Sequence, residues 1–439
     1  MRILMLLFGT VGNALIAFFT QLLLTRSLDV AAYGQVVAIT AAVTMLIPVA
    51  GMTTGWFWLE LYGRERQAAA RWGRGSRQAA VLTLALSCAV LAAYLLLAPG
   101  GAADPAVLAC AWAMLLGQTL AESRAVRLQL EERYVGLALW QTAPQALRSI
   151  AVLALLASAS LSGHATLAAY AVAGLATAVL ALPSMLAVTD GSIRLAGAAS
   201  PQAGVPQDWP PGVKGCLQAA WPYALVTLFY LIYSTGILAL LNPLIGAQAS
   251  AYYNIGFLIF SSLAMLPSVI YGKYLAGKLF RWWTHDQDKF VAAFHLGVAS
   301  HFILGLVLGA LMAGAAPFFV PLLFGASYRA AVPVVQILAI GVPIRFVQHG
   351  YGAVLFSKDH IRRKVAYMGQ AALLSVLLLF WLAPAYGVKG AAACSVAAEA
   401  LLLGLYMYGA ASHVGPIDVR ATLSLRTLNM AYRRLAGEG

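Results

Sequence analysis

A chain of 439 residues that is 62% hydrophobic and only 10% charged, with mean hydropathy +0.81, is too apolar for a soluble globule. Its formal charge of +13 is spread over short segments between apolar runs, which excludes a nucleic-acid-binding patch and suits anionic lipid headgroups. The class is a polytopic helical membrane protein.

Twelve apolar runs are predicted as spans, near 3–25, 33–62, 78–98, 105–123, 134–157, 165–189, 215–242, 251–275, 290–314, 330–356, 365–384 and 387–411. Each approaches the roughly 20 residues needed to cross about 30 Å of hydrocarbon. The first run follows Arg2 and is too long for the apolar region of a signal peptide, so it is expected to be retained. Lys and Arg orient the chain: 23 of the 28 fall in alternate segments, and three (Arg26, Arg329, Lys389) fall on the other side. Both termini are therefore expected in the cytoplasm. The remaining two, Arg148 and Arg345, lie mid-span.

Span 1 carries Asn13 and Thr20 on one face. Span 2 follows the pair Tyr33-Gly34 and is interrupted at Pro48, Gly51 and Gly55, with Thr40 and Thr44 on the same side, which suits a bendable gate or close helix packing. A weaker copy begins 219 residues later, where Tyr252 and Pro267 repeat the 15-residue spacing of Tyr33 and Pro48. Broken apolar segments at matching places in two halves point to a transporter built from repeats, with Pro267 as the second hinge candidate.

Polar groups at membrane depth are costly, so they face a cavity or a partner. In span 5, Gln141 and Gln145 share a face with Arg148; in span 10, Gln348 and His349 follow Arg345 by one turn. Each arginine offers a two-pronged donor for phosphate oxygens, or else pairs with a carboxylate to lock its bundle. Glu399 in span 12 is the candidate for cation or proton coupling, or equally the structural partner of one of those arginines. Glu60 and Glu122 are expected to pair with nearby loop arginines. Span 7 aligns Tyr223, Thr227, Tyr230 and Ser234, a stripe that could stack on sugar rings or bond its own backbone. His301 reads as a satisfied core residue. The cysteines Cys88, Cys110, Cys216 and Cys394 show no metal spacing, so no metal, cofactor or catalytic residue is expected.

The segment 190–214, with SPQAGVPQDWPPG, reads as a cytoplasmic linker between an N-terminal six-helix bundle, 1–189, and a C-terminal one, 215–411. Residues 412–439 are expected to be a basic cytoplasmic tail, in which the stripe of Leu425, Leu428, Tyr432 and Leu435 suits either a helix in the membrane interface or a frayed end. The longest outer loop, 315–329, leaves no room for an external catalytic domain, so the chain is not expected to be an enzyme.

Three elements carry a resemblance: Thr25-Arg26-Ser27-Leu28-Asp29 with Tyr33-Gly34, Phe324-Gly325 with Tyr328 and Ala331, and Tyr386-Gly387 with Gly390-Ala391-Ala392. Together, in this order, they resemble the polysaccharide transport branch of the multidrug/oligosaccharidyl-lipid/polysaccharide (MOP) flippase superfamily. Asp29 stands where that branch usually has Gly. The resemblance implies an all-α fold of 12 spans in two pseudo-symmetric six-helix bundles around a central cavity, where flippases of the peptidoglycan precursor usually have fourteen spans. It implies a flippase of the bacterial inner membrane that moves undecaprenyl-pyrophosphate-linked oligosaccharide units for O-antigen, capsule or exopolysaccharide synthesis. A coupling cation or proton and contact with polysaccharide polymerase or export machinery would accompany that role. The alternatives are a cation-coupled multidrug exporter of the same superfamily and a membrane glycan polymerase or ligase.

Overall fold

The computed structural model describes residues 2–97, 104–195, 211–269, 287–355 and 361–413. Among them there is no strand, and eight helical segments are long and apolar enough to cross a membrane. The helices are α1 (Arg2–Ser27), α2 (Val30–Ala50), α3 (Trp56–Glu65), α4 (Gly73–Leu97), α5 (Pro105–Leu130), α6 (Tyr134–Ala157) and α7 (Gly163–Asp190). They continue as α8 (Val213–Ser234), α9 (Gly236–Ile245), α10 (Ala247–Val269), α11 (Gln287–Phe324), α12 (Val332–Val354) and α13 (Ile361–His413). Taking α2 with α3 and α8 with α9 as broken spans, and α13 as two arms, recovers the twelve expected runs, an all-α multi-pass architecture.

The joints follow from backbone chemistry. Asp29 caps α2 by accepting from the Ala31 and Ala32 amides at 2.8 and 2.9 Å, which explains an acid where glycine was expected. Pro48 removes one helical donor; α2 ends at Ala50, and the chain turns through 51–54 before α3. Gly325 (φ +106°) stops α11 and Gly387 (φ +60°) breaks α13, both in a region that glycine alone enters cheaply. Residues 315–324, expected as an outer loop, instead continue α11 through Pro317 and Pro321. An apolar segment that stays helical keeps its backbone groups satisfied, and proline is tolerated in such helices.

The described residues divide into two compact units. The first joins Met1–Leu231 with Leu238–Gln248, the second Ile232–Ile237 with Ala249–Gly439, so most of α8 packs with the first rather than beginning a new body at residue 215. In the first unit α5 and α7 cross so closely that a Cβ on Gly117 would lie 2.2 Å from the Gly174 carbonyl oxygen. Phe57, Trp58, Leu61 and Tyr62 of α3 pack with Val126, Val188, Cys216 and Ala220, and the Tyr62 hydroxyl donates to the Val188 carbonyl at 2.6 Å. In the second unit Gly305 of α11 leaves space for Pro343 of α12, whose Cα would sit 2.7 Å from an added Cβ. The four cysteines are free thiols. Most of the 190–214 linker and the basic tail lie outside the described residues, as do residues 270–286; Pro267 itself falls within α10.

Candidate functional site

The break between α2 and α3 shapes a cavity inside the first unit. It has a volume of about 240 Å³ and is walled by Thr44, Ile47, Pro48, Gly51, Met52, Gly55 and Trp56, by Glu122 of α5, and by Tyr223, Ala224, Thr227 and Leu231 of α8. The hinge residues of span 2 and two members of the span 7 stripe thus share one wall. Proline removes a donor and glycine removes side-chain bulk, so the cavity is a direct product of the interruption. Tyr230 is 39% exposed and outside the lining.

Glu122 is the formally charged residue of that lining, and its side chain is open to the cavity. Its Oε2 lies 3.9 Å from where a Gly55 Cβ would be. The expected pairing with a loop arginine does not occur among the described residues, because each neighbour is engaged elsewhere. Arg124 donates to the Leu180 carbonyl at 2.7 Å and lies over Trp140 at 4.5 Å. Arg127 pairs with Glu131 at 3.0 Å. Arg64 pairs with Glu60 at 3.5 Å, as expected, and Glu60 also accepts the Tyr223 hydroxyl. On the same two turns of α5, Gln118 Nε2, Thr119 Oγ1 and Ser123 Oγ are buried without a hydrogen-bond partner. Glu122 is the candidate site residue that sequence reasoning set aside as paired. Gln118, four residues earlier on the same face, was the available signal.

Arg148 belongs to the same unit but not to the cavity wall. Its guanidinium sits over the Tyr170 ring at 5.1 Å and makes no hydrogen bond or ion pair with any described residue. Around it, Gln145 Nε2 donates to Thr20 Oγ1 at 3.4 Å, and Thr20 and Ser149 share a 2.6 Å hydrogen bond. Gln141 is exposed, and Asn13 Oδ1 is buried without a partner.

The second unit treats its arginine in the opposite way. Arg345 is ion-paired with Glu399, and the two side chains are only 7% and 5% exposed. Gln348 Nε2 donates to Glu399 Oε2 at 2.8 Å. Tyr233 and Phe260 place their rings 5.7 and 5.9 Å from the Arg345 guanidinium. His349 is half-buried beside this group. Arg345 and Glu399, one expected to hold phosphate and the other to couple a cation, thus occupy each other here. His301 Nδ1 lies 2.8 Å from the Gly297 carbonyl oxygen, in keeping with a core histidine.

No protein-family profile and no curated protein matches the chain. Its fold does match solved transporters. The structure titled lipid II flippase MurJ, inward closed conformation, aligns over 99% of this chain and 93% of its own at TM-score 0.69 and 10% identity. A eukaryotic MATE transporter aligns over 99% and 96% at TM-score 0.54 and 12% identity. A Vibrio cholerae MATE transporter aligns over 94% and 96% at TM-score 0.50 and 16% identity. At these identities the likeness establishes the fold alone, which this chain shares with that flippase and those MATE transporters.

Proposed function

We propose that the chain is a flippase that carries undecaprenyl-pyrophosphate-linked oligosaccharide units across the bacterial inner membrane by alternating access, for O-antigen, capsule or exopolysaccharide synthesis. The observation that carries this reading is Arg148, a cation in the middle of a span whose recorded partner is the face of Tyr170. A cation held at that depth without an anion is costly. A passing pyrophosphate supplies the missing charge, and a guanidinium grips its oxygens in pairs. In this reading Asn13, Gln141 and Gln145 meet the glycan, while Arg345 reaches phosphate, and Glu399 a coupling cation, only when their mutual pair opens. Gln348, His349 and Tyr230 remain candidate glycan contacts.

The test is glycan export in a strain lacking the native flippase. Arg148→Ala is expected to cut surface glycan at least about tenfold, with Arg148→Lys in between, at equal protein level. Wild-type export by Arg148→Ala would sink the phosphate role. A second reading, the cation-coupled exporter of organic cations, gains support from the cavity, whose lining holds a carboxylate and no arginine. A change in drug susceptibility with intact glycan export would favour it.

A further inference from the structure

We infer that the cavity at the break of span 2 is a recognition site for a positively charged amino group, with Glu122 as its counter-charge. The inference rests on the transport reading and narrows its substrate: the molecule that passes carries an ammonium.

Four observations converge. Glu122 opens into the cavity and has no ion-pair partner among the described residues, while Arg64, Arg124 and Arg127 are all engaged with other groups. A carboxylate at the membrane end of a helix, left without a cation of its own, is suited to take one from a ligand. The rings of Trp56 and Tyr223 stand in the same wall. Trp56 is 63% exposed, and the Tyr223 hydroxyl is occupied by Glu60. Aromatic faces beside a carboxylate are the surroundings that ammonium groups favour.

Size and lining separate this ligand from a bare metal ion. A hard cation asks for a shell of six or more oxygens. Here Ile47, Pro48, Met52, Ala224 and Leu231 take up much of the wall. A volume of about 240 Å³ instead admits a group of sugar-ring size or a small quaternary amine. An anionic group would meet Glu122 without a compensating cation in the lining, so the cavity also discriminates by charge.

The ammonium could belong to an amino sugar of a lipid-linked glycan or to a small organic cation, and the measurement separates the two. The full chain is purified into nanodiscs and titrated calorimetrically with glucosamine and choline. The neutral counterparts are glucose, with a hydroxyl in place of the ammonium, and 3,3-dimethylbutanol, which keep the shape and lose the charge. Both amines are expected to bind saturably and both neutral counterparts at least tenfold more weakly. Glucosamine binding above choline assigns the site to an amino sugar, and the reverse order to an organic cation. Glu122→Gln is expected to weaken the amines roughly tenfold, with Glu122→Asp retaining part of the affinity. Trp56→Leu is expected to weaken them several-fold while Trp56→Phe holds, which keeps the test open should Glu122→Gln fail to fold. Equal binding of the neutral compounds, or unchanged affinity in both Glu122→Gln and Trp56→Leu, overturns the inference. Amine binding by a protein that exports no glycan would sink the flippase reading and leave the site standing. Glycan export without amine binding would do the opposite.

Discussion

Replacing Arg345 by Met is the sharpest probe of the second unit. The substitution keeps much of the side-chain volume and leaves Glu399, 5% exposed, without its guanidinium. Breaking one side of a buried ion pair costs about 3–5 kcal/mol. The Gln348 amide, 2.8 Å from Glu399 Oε2, is present in both proteins and so leaves that difference unchanged. The expectation is a loss of about 3–5 kcal/mol. Adding Glu399→Leu removes the stranded carboxylate, so the double variant should return to within about 1 kcal/mol of wild type. Unfolding of the four purified proteins in one detergent, by near-UV circular dichroism, closes the cycle. Additive losses, or an Arg345→Met loss under about 0.5 kcal/mol, would show that the pair is not closed in the folded protein. The same four chains, assayed for glycan export, decide whether Arg345 also meets substrate. A stable double variant that exports normally would make the pair purely architectural.

Two further predictions concern the joints. A Cβ on Gly390 would lie 2.1 Å from the Leu382 carbonyl oxygen, a backbone atom that cannot swing aside. Gly390→Val should therefore cost about 1–3 kcal/mol and show as early thermal unfolding, and an unchanged midpoint would contradict the tight turn in α13. Pro48→Ala restores a helical donor in α2 and should stiffen the hinge. Stability rises or holds while the export rate falls several-fold, whereas an unchanged rate would remove Pro48 from the moving parts.

The fold was legible because its punctuation is covalent. Pro48, Gly51, Gly55 and Gly387 act through missing donors and missing Cβ atoms, which a sequence displays directly. The twelve runs followed from hydropathy and length for the same reason. The stretch 315–324 misled, because two prolines that end helices in water are tolerated where apolar surroundings penalise any exposed backbone. The site was less legible because charge pairing is a tertiary property. Glu399 lies 54 residues from Arg345, and their meeting depends on the packing of α12 against the second arm of α13. Glu122 was read as paired because Arg124, Arg127 and Arg133 lie near it in sequence, yet the first is drawn to Leu180 and Trp140 and the other two both pair with Glu131.

The contrast between paired and unpaired charges yields a test that needs no knowledge of the substrate. Arg345 and Glu399 satisfy one another, so neutralising either alone strands its partner and should destabilise the protein. Arg148 and Glu122 have no ion-pair partner among the described residues, so neutralising either removes a cost and strands nothing. Arg148→Met and Glu122→Gln should leave the thermal midpoint unchanged or higher while transport fails. That combination marks residues whose partner arrives with the cargo, since function has been kept at the expense of stability. A molecule bringing both an anionic phosphate and an ammonium would answer both unpaired charges of the first unit. If Arg148→Met and Glu122→Gln both lower the midpoint as Arg345→Met does, these charges have structural partners and the distinction collapses.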